Sequence, residues 1–438
     1  MKKVLKLIGT KKVFALLNKS IPTLNGLLTV FVIIRTIPKY EFGLLALINT
    51  FDFALFAFSG GLILQALQKY AAEVDGDELN DLATNSVFLY TTLSLAPAIF
   101  VAIFAKNIEA FLNAESLSKL LRWLPLIVVS HWGRKFGYYI LLAKEKLVEV
   151  FIVDFVPFVI SAILLFSLYF SNNLRTALAI VIVRLVSDFG AAAVSLNYLK
   201  RDIRLTKKLN QFWLRRLLSF GKYSFGTTIG NLIHARTDTL MIAYFYNPVA
   251  LAVYNSARGI ADFFRTFVQA ANMIVLPRAS NLFAKSDIKG VRTIYFKGII
   301  FSLILVFPIA LIMLSVPKFI LNLAYGGKYQ ESASILQILA FASLISPLGT
   351  IGSSVAAGIG KPNLTFIAMW LSVLVNIGLN LLLIPQYGAI GAAYATLAAI
   401  VIGGFAITRF VHRAINLSFS KVGKASLTGM VLSVKDKK

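Results

Sequence analysis

The stretch PNLTFIAMWLSVLVNIGLNLLLIPQYGAIGAAYATLAAIVIGGFAIT, residues 362–408, contains no Asp, Glu, Lys or Arg. A helix needs about 20 mostly apolar residues to cross about 30 Å of hydrocarbon. The stretch therefore predicts two crossings, 363–384 and 388–411, joined by a turn at Pro385-Gln386-Tyr387. Working outward with the same criterion gives ten more segments: 13–37, 42–67, 82–105, 118–143, 148–170, 175–199, 216–246, 249–277, 293–316 and 332–358. The expected fold is an all-α polytopic membrane protein with twelve transmembrane helices, six on each side of the basic stretch 200–216.

Composition supports this reading. The 438 residues are 58% hydrophobic and 14% charged, with mean hydropathy +0.77. Soluble domains are about half apolar and about a quarter charged. The chain has no Cys, which removes disulfide frameworks, thiolate metal sites and Cys nucleophiles. Its three histidines, His131, His234 and His412, form no HExxH pattern, and no GxxxxGK[ST] loop is present. Nothing here calls for a cofactor or a metal, and the class expected is a transporter without catalytic residues.

Lys and Arg are retained on the cytoplasmic side of short loops, and their distribution sets the orientation. The N-terminus, the loops 68–81, 144–149, 200–216, 278–292 and 359–362, and the tail from Arg409 carry 27 of the 44 basic residues. The opposite loops carry six: Lys39, Lys106, Lys119, Arg175, Lys318 and Lys328. Both termini are expected in the cytoplasm, at the inner (plasma) membrane. The acidic run Glu73, Asp75, Asp77, Glu78 and Asp81 runs against the trend, but acids weigh little in this rule.

The domain reading is an N-terminal six-helix lobe at 1–199, a basic cytoplasmic linker at 200–216, a C-terminal six-helix lobe at 217–412 and a basic tail at 413–438. The tail, with Leu417, Phe419 and Val422 among lysines, is expected to lie on the anionic inner leaflet. Asn18, Lys19 and Pro22 interrupt the first apolar segment, and no A-x-A-like site closes it, so it is expected to be retained as a helix. A shift of 210 aligns Lys12 with Lys222, Pro38 with Pro248 and Asp52-Phe53 with Asp262-Phe263, in keeping with a parallel repeat.

Eleven bases remain within or at the edges of the predicted helices: Lys19, Arg35, Arg122, Arg134, Lys135, Arg184, Lys222, Arg236, Arg258, Arg265 and Lys297. Only five acids accompany them: Asp52, Asp154, Asp188, Asp238 and Asp262. An ionised side chain at the bilayer centre costs at least about 2.5–3.5 kcal/mol, so such groups face water, a partner or a bound anion. The excess of cations points to a cavity of positive potential. Lys19, Arg122 and Lys297 lie near helix ends and are expected to snorkel. His131 and His234 read as hydrogen-bonded polar residues rather than proton relays. Arg134-Lys135 is either a cavity wall or the cytoplasmic end of the fourth helix.

The strongest constellation lies on the eighth segment. Arg258, Asp262, Arg265, Gln269 and Asn272 follow spacings of four, three, four and three, which places them on one helical face. On the seventh segment Asn231, His234 and Asp238 share a face, and Asp238 and Arg258 are equidistant from residue 248, which predicts an ion pair between them. Structural salt bridges are the competing reading for this pair and for Arg184–Asp188.

Three motifs carry a resemblance. Asn376-Ile-Gly-Leu-Asn380 through Pro385-Gln-Tyr-Gly388-Ala-Ile-Gly391 to Thr396 resembles the signature of the last two helices in polysaccharide and lipid-linked oligosaccharide flippases. These belong to the multidrug/oligosaccharidyl-lipid/polysaccharide exporter superfamily. Glu41-Phe42-Gly43 and Ala252-Val-Tyr254-Asn-Ser-Ala257 resemble that family's two pseudo-equivalent turns, with Ala252-Val253 where a Gly is usual and Leu45 where an aromatic is common. The resemblance is strongest to the Wzx-type O-antigen flippases and covers about residues 10–412. It implies two six-helix lobes around a central cavity, alternating access and movement of an undecaprenyl-diphosphate-linked oligosaccharide across the membrane. The partners implied are that lipid-linked glycan, membrane lipids and glycan assembly proteins, with no nucleic acid.

On this reading Arg258, Arg265, Lys222 and Arg35 contact diphosphate or acidic sugars, and Gln269, Asn272 and Asn231 hydrogen-bond sugar hydroxyls. Asp262, Asp238 and Asp52 hold the cations in place. Arginine suits phosphate through its bidentate geometry. The alternatives are a cation-coupled multidrug antiporter of the same superfamily and a membrane glycan polymerase. The polymerase is disfavoured because Glu41, Glu109, Glu115 and Glu331 are scattered over the outer loops.

Overall fold

The computed structural model describes residues 10–200, 202–206 and 209–415. The basic N-terminal residues before Thr10 and the tail beyond Ile415 lie outside the described residues. So do the side chains of Lys19 and Arg265, whose backbones are helical. Among the described residues every regular element is helical and none is a strand.

A helix underlies each of the twelve expected segments. α1 (Thr10–Leu28) passes into a π-helical stretch, Thr29–Ile34. The second segment is α2 (Lys39–Leu62) with α3 (Leu64–Ala71), broken at Ile63. α4 (Gly76–Ile103) follows, then the short α5 (Ala105–Phe111) and α6 (Leu117–Leu121). α7 (Leu124–Ala143), α8 (Leu147–Phe170) and α9 (Ala177–Leu199) complete the sixth segment. Next come α10 (Gln211–Phe245), α11 (Pro248–Ala284), α12 (Ile288–Ser315), the short α13 (Pro317–Tyr325) and α14 (Ala333–Gly358). α15 (Pro362–Ala414) is the quoted stretch, and Gly388 breaks it in two with φ +58° and ψ −137°. Only glycine adopts that combination readily. Seven helical stretches in the described residues are long and apolar enough by themselves to cross a membrane, with α2 and α3 counted as one and α15 as one.

The described residues pack as two compact units. The first comprises residues up to Ser256 together with 321–332 and 387–389, and the second 257–320, 333–386 and 390 onward.

Lipid is as apolar as leucine, so helices in it associate through close packing at small residues rather than through the hydrophobic effect. In the first unit α2 runs antiparallel to α10. A Cβ added to Gly43 would lie 1.9 Å from the Pro248 carbonyl oxygen, and one on Gly221 would lie 1.9 Å from the Leu62 carbonyl oxygen. Between α7 and α9, Gly133 meets Ala192 and Gly137 meets Ser195. In the second unit Gly298 of α12 lies against Val275 and Ile351, within a core of Val275, Ala279, Tyr295, Val355, Ile407 and Val411. Ser372 Oγ donates to the Ala399 carbonyl at 2.8 Å and joins the two halves of α15.

The basic linker is held by polar groups at the start of α4. Arg204 N–H donates to Asn80 Oδ1 at 2.7 Å, Thr206 N–H to Thr84 Oγ1 at 2.8 Å and Asn210 N–H to Asn85 Oδ1 at 3.0 Å. Helix α10 starts at Gln211, inside the stretch expected to be linker, because Asn210 Oδ1 caps Phe212 N–H at 3.0 Å and Trp213 is buried. The acidic run before α4 also has basic partners: Asp75 with Lys144 at 2.6 Å and Glu73 with Arg216 at 3.6 Å.

Candidate functional site

Glu41-Phe42-Gly43, expected as a turn, lies in the first helical turn of α2 and is a junction of the first unit. Glu41 Oε2 accepts from Ala177 N–H at 2.7 Å, so a carboxylate caps the N-terminus of α9, where the helix dipole favours negative charge. The Phe42 ring stands edge-on to Tyr329, and Gly43 admits the Pro248 carbonyl. The segment 321–332 closes over this turn. Lys39 pairs with Glu331, and Lys328 Nζ donates to the Ile37 carbonyl. Partial burial, then the neighbouring Lys39 ammonium, hold Lys328 below the usual lysine value. Arg35 is exposed and lies against the Gly326 turn, whose φ of +65° needs glycine.

The residues expected as the second turn, 252–257, are helical within α11 and are tied down by Tyr254, whose hydroxyl donates to Asp238 Oδ2 at 2.6 Å. Ser256 Oγ meets Ser332 Oγ at 2.8 Å, and Ser256 carbonyl oxygen accepts from Tyr325 hydroxyl at 2.9 Å. Ala252, where a glycine is usual, is fully buried, so a small side chain still fits.

Intramembrane charges gather most densely in the first unit. Asp52 on α2 accepts from Arg184 Nη2 at 2.5 Å and lies 3.1 Å from His131 Nε2. Arg184 Nη1 also donates to Asn49 Oδ1 at 3.1 Å, and its Nε lies 3.5 Å from Asp188 Oδ2, one turn along α9. The other Asp188 oxygen is 3.3 Å from Arg134 Nη1. Asp52, His131 and Asp188 are almost fully buried, whereas Arg184 keeps 35% of its side-chain surface open. Lys135 stacks over the Phe56 ring at 4.7 Å, and Arg236 stacks over Phe53 at 4.8 Å.

Arg134, Arg184 and Asp188 border a cavity of about 250 Å³ within the first unit. Its walls are Asn25 and Leu28 of α1, Thr29 and Ile33 of the π stretch, Arg134 of α7, Pro157, Phe158, Ser161 and Leu165 of α8, and Ile180, Val183, Arg184, Ser187 and Asp188 of α9. Of the pair Arg134-Lys135, Arg134 lines this cavity and Lys135 does not.

The stripe on the eighth segment lies on α11. Arg258 Nε donates to Asp262 Oδ2 at 3.3 Å, with Asp262 half exposed and Arg258 more enclosed. Gln269 is exposed, and Asn272 Oδ1 accepts from Ser354 Oγ at 2.8 Å. On α10 both Lys222 and Asn231 are exposed. Asp52 serves Arg184 and His131 rather than Arg35.

Sequence reasoning missed that Asp52, His131, Arg134, Arg184 and Asp188 form one connected network. A signal was present: Asn49 and Asp52 share a helical face, as do His131 and Arg134, and Arg184 and Asp188. What the spacing lacks is the pairing between helices.

A family model described as polysaccharide biosynthesis protein matches residues 32–334. The chain is 27% identical over 389 residues to an uncharacterized membrane protein of Methanocaldococcus jannaschii, covering 82% of this chain and 75% of that one. It is 23% identical over 221 residues to the probable low-salt glycan biosynthesis flippase Agl15 of Haloferax volcanii, covering 50% of this chain and 47% of the relative. Among solved structures it is similar to an inward-facing multidrug resistance MATE family transporter of the MOP superfamily. The TM-score is 0.78 at 14% identity, over 92% of this chain and 98% of the other. It is also similar to the lipid II flippase MurJ, with a TM-score of 0.77 at 16% identity, over 96% of this chain and 91% of the other. At those identities the likeness concerns the fold.

Proposed function

We propose, because this chain belongs to the polysaccharide biosynthesis protein family, that it is a flippase moving a lipid-linked oligosaccharide across the plasma membrane. The observation that carries the reading is the set of ionised side chains inside an otherwise apolar helical body. Arg134, Arg184, Asp52 and Asp188 lie in the first unit, and Arg258 and Asp262 in the second. Groups this costly to hold in hydrocarbon mark a polar pathway. The relative named as a glycan biosynthesis flippase supports that choice of cargo, and the MurJ likeness supports a fold able to carry it.

On this reading all twelve segments cross the membrane and both termini are cytoplasmic. Arg258, Arg265, Lys222 and Arg35 meet the anionic headgroup as it passes between leaflets, and Gln269, Asn272 and Asn231 meet sugar hydroxyls. Asp262 and Asp238 hold their neighbours in place. The task is translocation, and the partners are the lipid-linked glycan, membrane lipids and the proteins that assemble the glycan.

The test is glycan display in a cell lacking its own flippase, with membrane abundance of the introduced chain measured alongside. Restored display supports the reading. Resistance to organic cations without restored display would replace it with drug export, the reading favoured by the MATE likeness.

A further inference from the structure

Resting on that glycan reading, we propose that the cavity between α1, α7, α8 and α9 is a binding subsite for a single sugar residue bearing a carboxylate. The size limits the occupant. Pockets for drug-sized ligands span about 300–1,000 Å³. A cavity of about 250 Å³ therefore encloses about one pyranose ring.

The charges select its chemistry. Arg134, Arg184 and Asp188 are the ionised groups on the wall, and the two arginines keep 20% and 35% of their side-chain surface open where Asp188 keeps 6%. Both oxygens of Asp188 face guanidinium nitrogens, and the second carboxylate on Arg184, Asp52, is buried behind the wall. A cation would meet two guanidinium groups and no open carboxylate. Arg184 already has Asn49, Asp52 and Asp188 as partners. Arg134 is less engaged: its Nη1 contact to Asp188 is long, at 3.3 Å, and it keeps 20% of its side-chain surface open. An incoming carboxylate would accept from the open part of the two guanidinium groups, in the planar geometry guanidinium prefers.

The rest of the wall suits a sugar. Asn25, Ser161 and Ser187 offer groups for ring hydroxyls, and the Phe158 side chain offers an apolar face. One wall is the π-helical stretch Thr29–Ile34, a conformation found mostly at functional sites. This subsite lies on different helices from the Arg258 stripe. It therefore recognises a sugar unit independently of any headgroup contact made on α11.

The experiment uses the purified full chain in detergent, with thermal unfolding followed by tryptophan fluorescence. The probes are sodium glucuronate, glucose and sodium chloride at matched ionic strength. Glucuronate should raise the unfolding temperature saturably, and glucose should bind at least about tenfold more weakly. Chloride should neither reproduce the effect nor compete. Arg134→Gln should remove the preference for glucuronate over glucose, and Ser161→Leu, which fills the cavity, should remove binding of both sugars. If Arg134→Gln fails to fold, Ser161→Leu decides the site.

Equal binding of glucuronate and glucose, full competition by chloride, or unchanged glucuronate binding in Ser161→Leu would each overturn the proposal. Wild-type preference in a folded Arg134→Gln would do the same. Failure to restore glycan display with glucuronate binding intact counts against the flippase reading and leaves the acidic-sugar subsite standing. Restored display with no glucuronate binding overturns the subsite alone.

Discussion

Arg184 Nη2 lies 2.5 Å from Asp52 Oδ2, joining α9 to α2 across 132 positions of sequence. The same guanidinium reaches Asp188 on its own helix and Asn49 one turn before Asp52. One arginine therefore clamps two helices that have no adjacent sequence. In a low-dielectric interior, removing one partner of such a pair costs more than the pair contributes, because the other charge is left behind.

The first prediction follows from that asymmetry. Asp52→Asn and Arg184→Gln should each lower the unfolding temperature and membrane abundance. The double variant should be less damaged than the sum of the two, with a coupling of at least about 1 kcal/mol. Thermal unfolding of all four proteins in detergent measures it, and strict additivity would contradict the clamp.

Glu41 gives a second prediction. Its carboxylate caps α9 through Ala177 N–H at 2.7 Å, and caps of this kind contribute about 0.5–2 kcal/mol. Glu41→Ala should destabilise the protein within that range. Glu41→Gln, which keeps an acceptor but not the charge, should lose less. Unfolding curves of the two variants check the order.

Gly43 supplies a third. A methyl group there would lie 1.9 Å from the Pro248 carbonyl oxygen, and a backbone atom cannot swing aside. Gly43→Ala should force the backbone of α2 away from the start of α11 at a cost of about 1–3 kcal/mol. Gly360→Ala, where no atom lies within 4 Å of the new Cβ, controls for loss of glycine, though its φ of +73° adds local strain. Membrane abundance should fall much further for Gly43→Ala than for the control.

Arg265 carries the fourth prediction. It lies seven residues past Arg258 on α11, about 10 Å deeper along the helix at 1.5 Å per residue. If it meets the anionic headgroup, Arg265→Ala should abolish most glycan display, whereas Arg265→Lys should retain part of it, since charge persists without the planar fork. Full activity in an abundant Arg265→Ala would remove this residue from the transport path.

Sequence by itself determined that the chain is a helical membrane protein, where its helices fall and which side chains are too costly to sit in hydrocarbon. Those properties are local: an apolar run of sufficient length must satisfy its own backbone hydrogen bonds, and a helix is the only single segment that does so. The motifs were legible for the same reason. Gly388 takes a positive φ at the break in α15, and Glu41-Phe42-Gly43 is a contiguous stretch at the start of α2 whose residues cap, stack and make room. Partner choice was decided only by the tertiary structure. Helical spacing places Arg184 and Asp188 on one face, yet it cannot say that Asp52 stands opposite, or that Arg134 reaches Asp188 from α7. Those pairings depend on how closely backbones approach. In lipid that distance is set by glycine and serine contacts such as Gly133 with Ala192 and Gly137 with Ser195, which a periodic pattern of apolar residues does not encode.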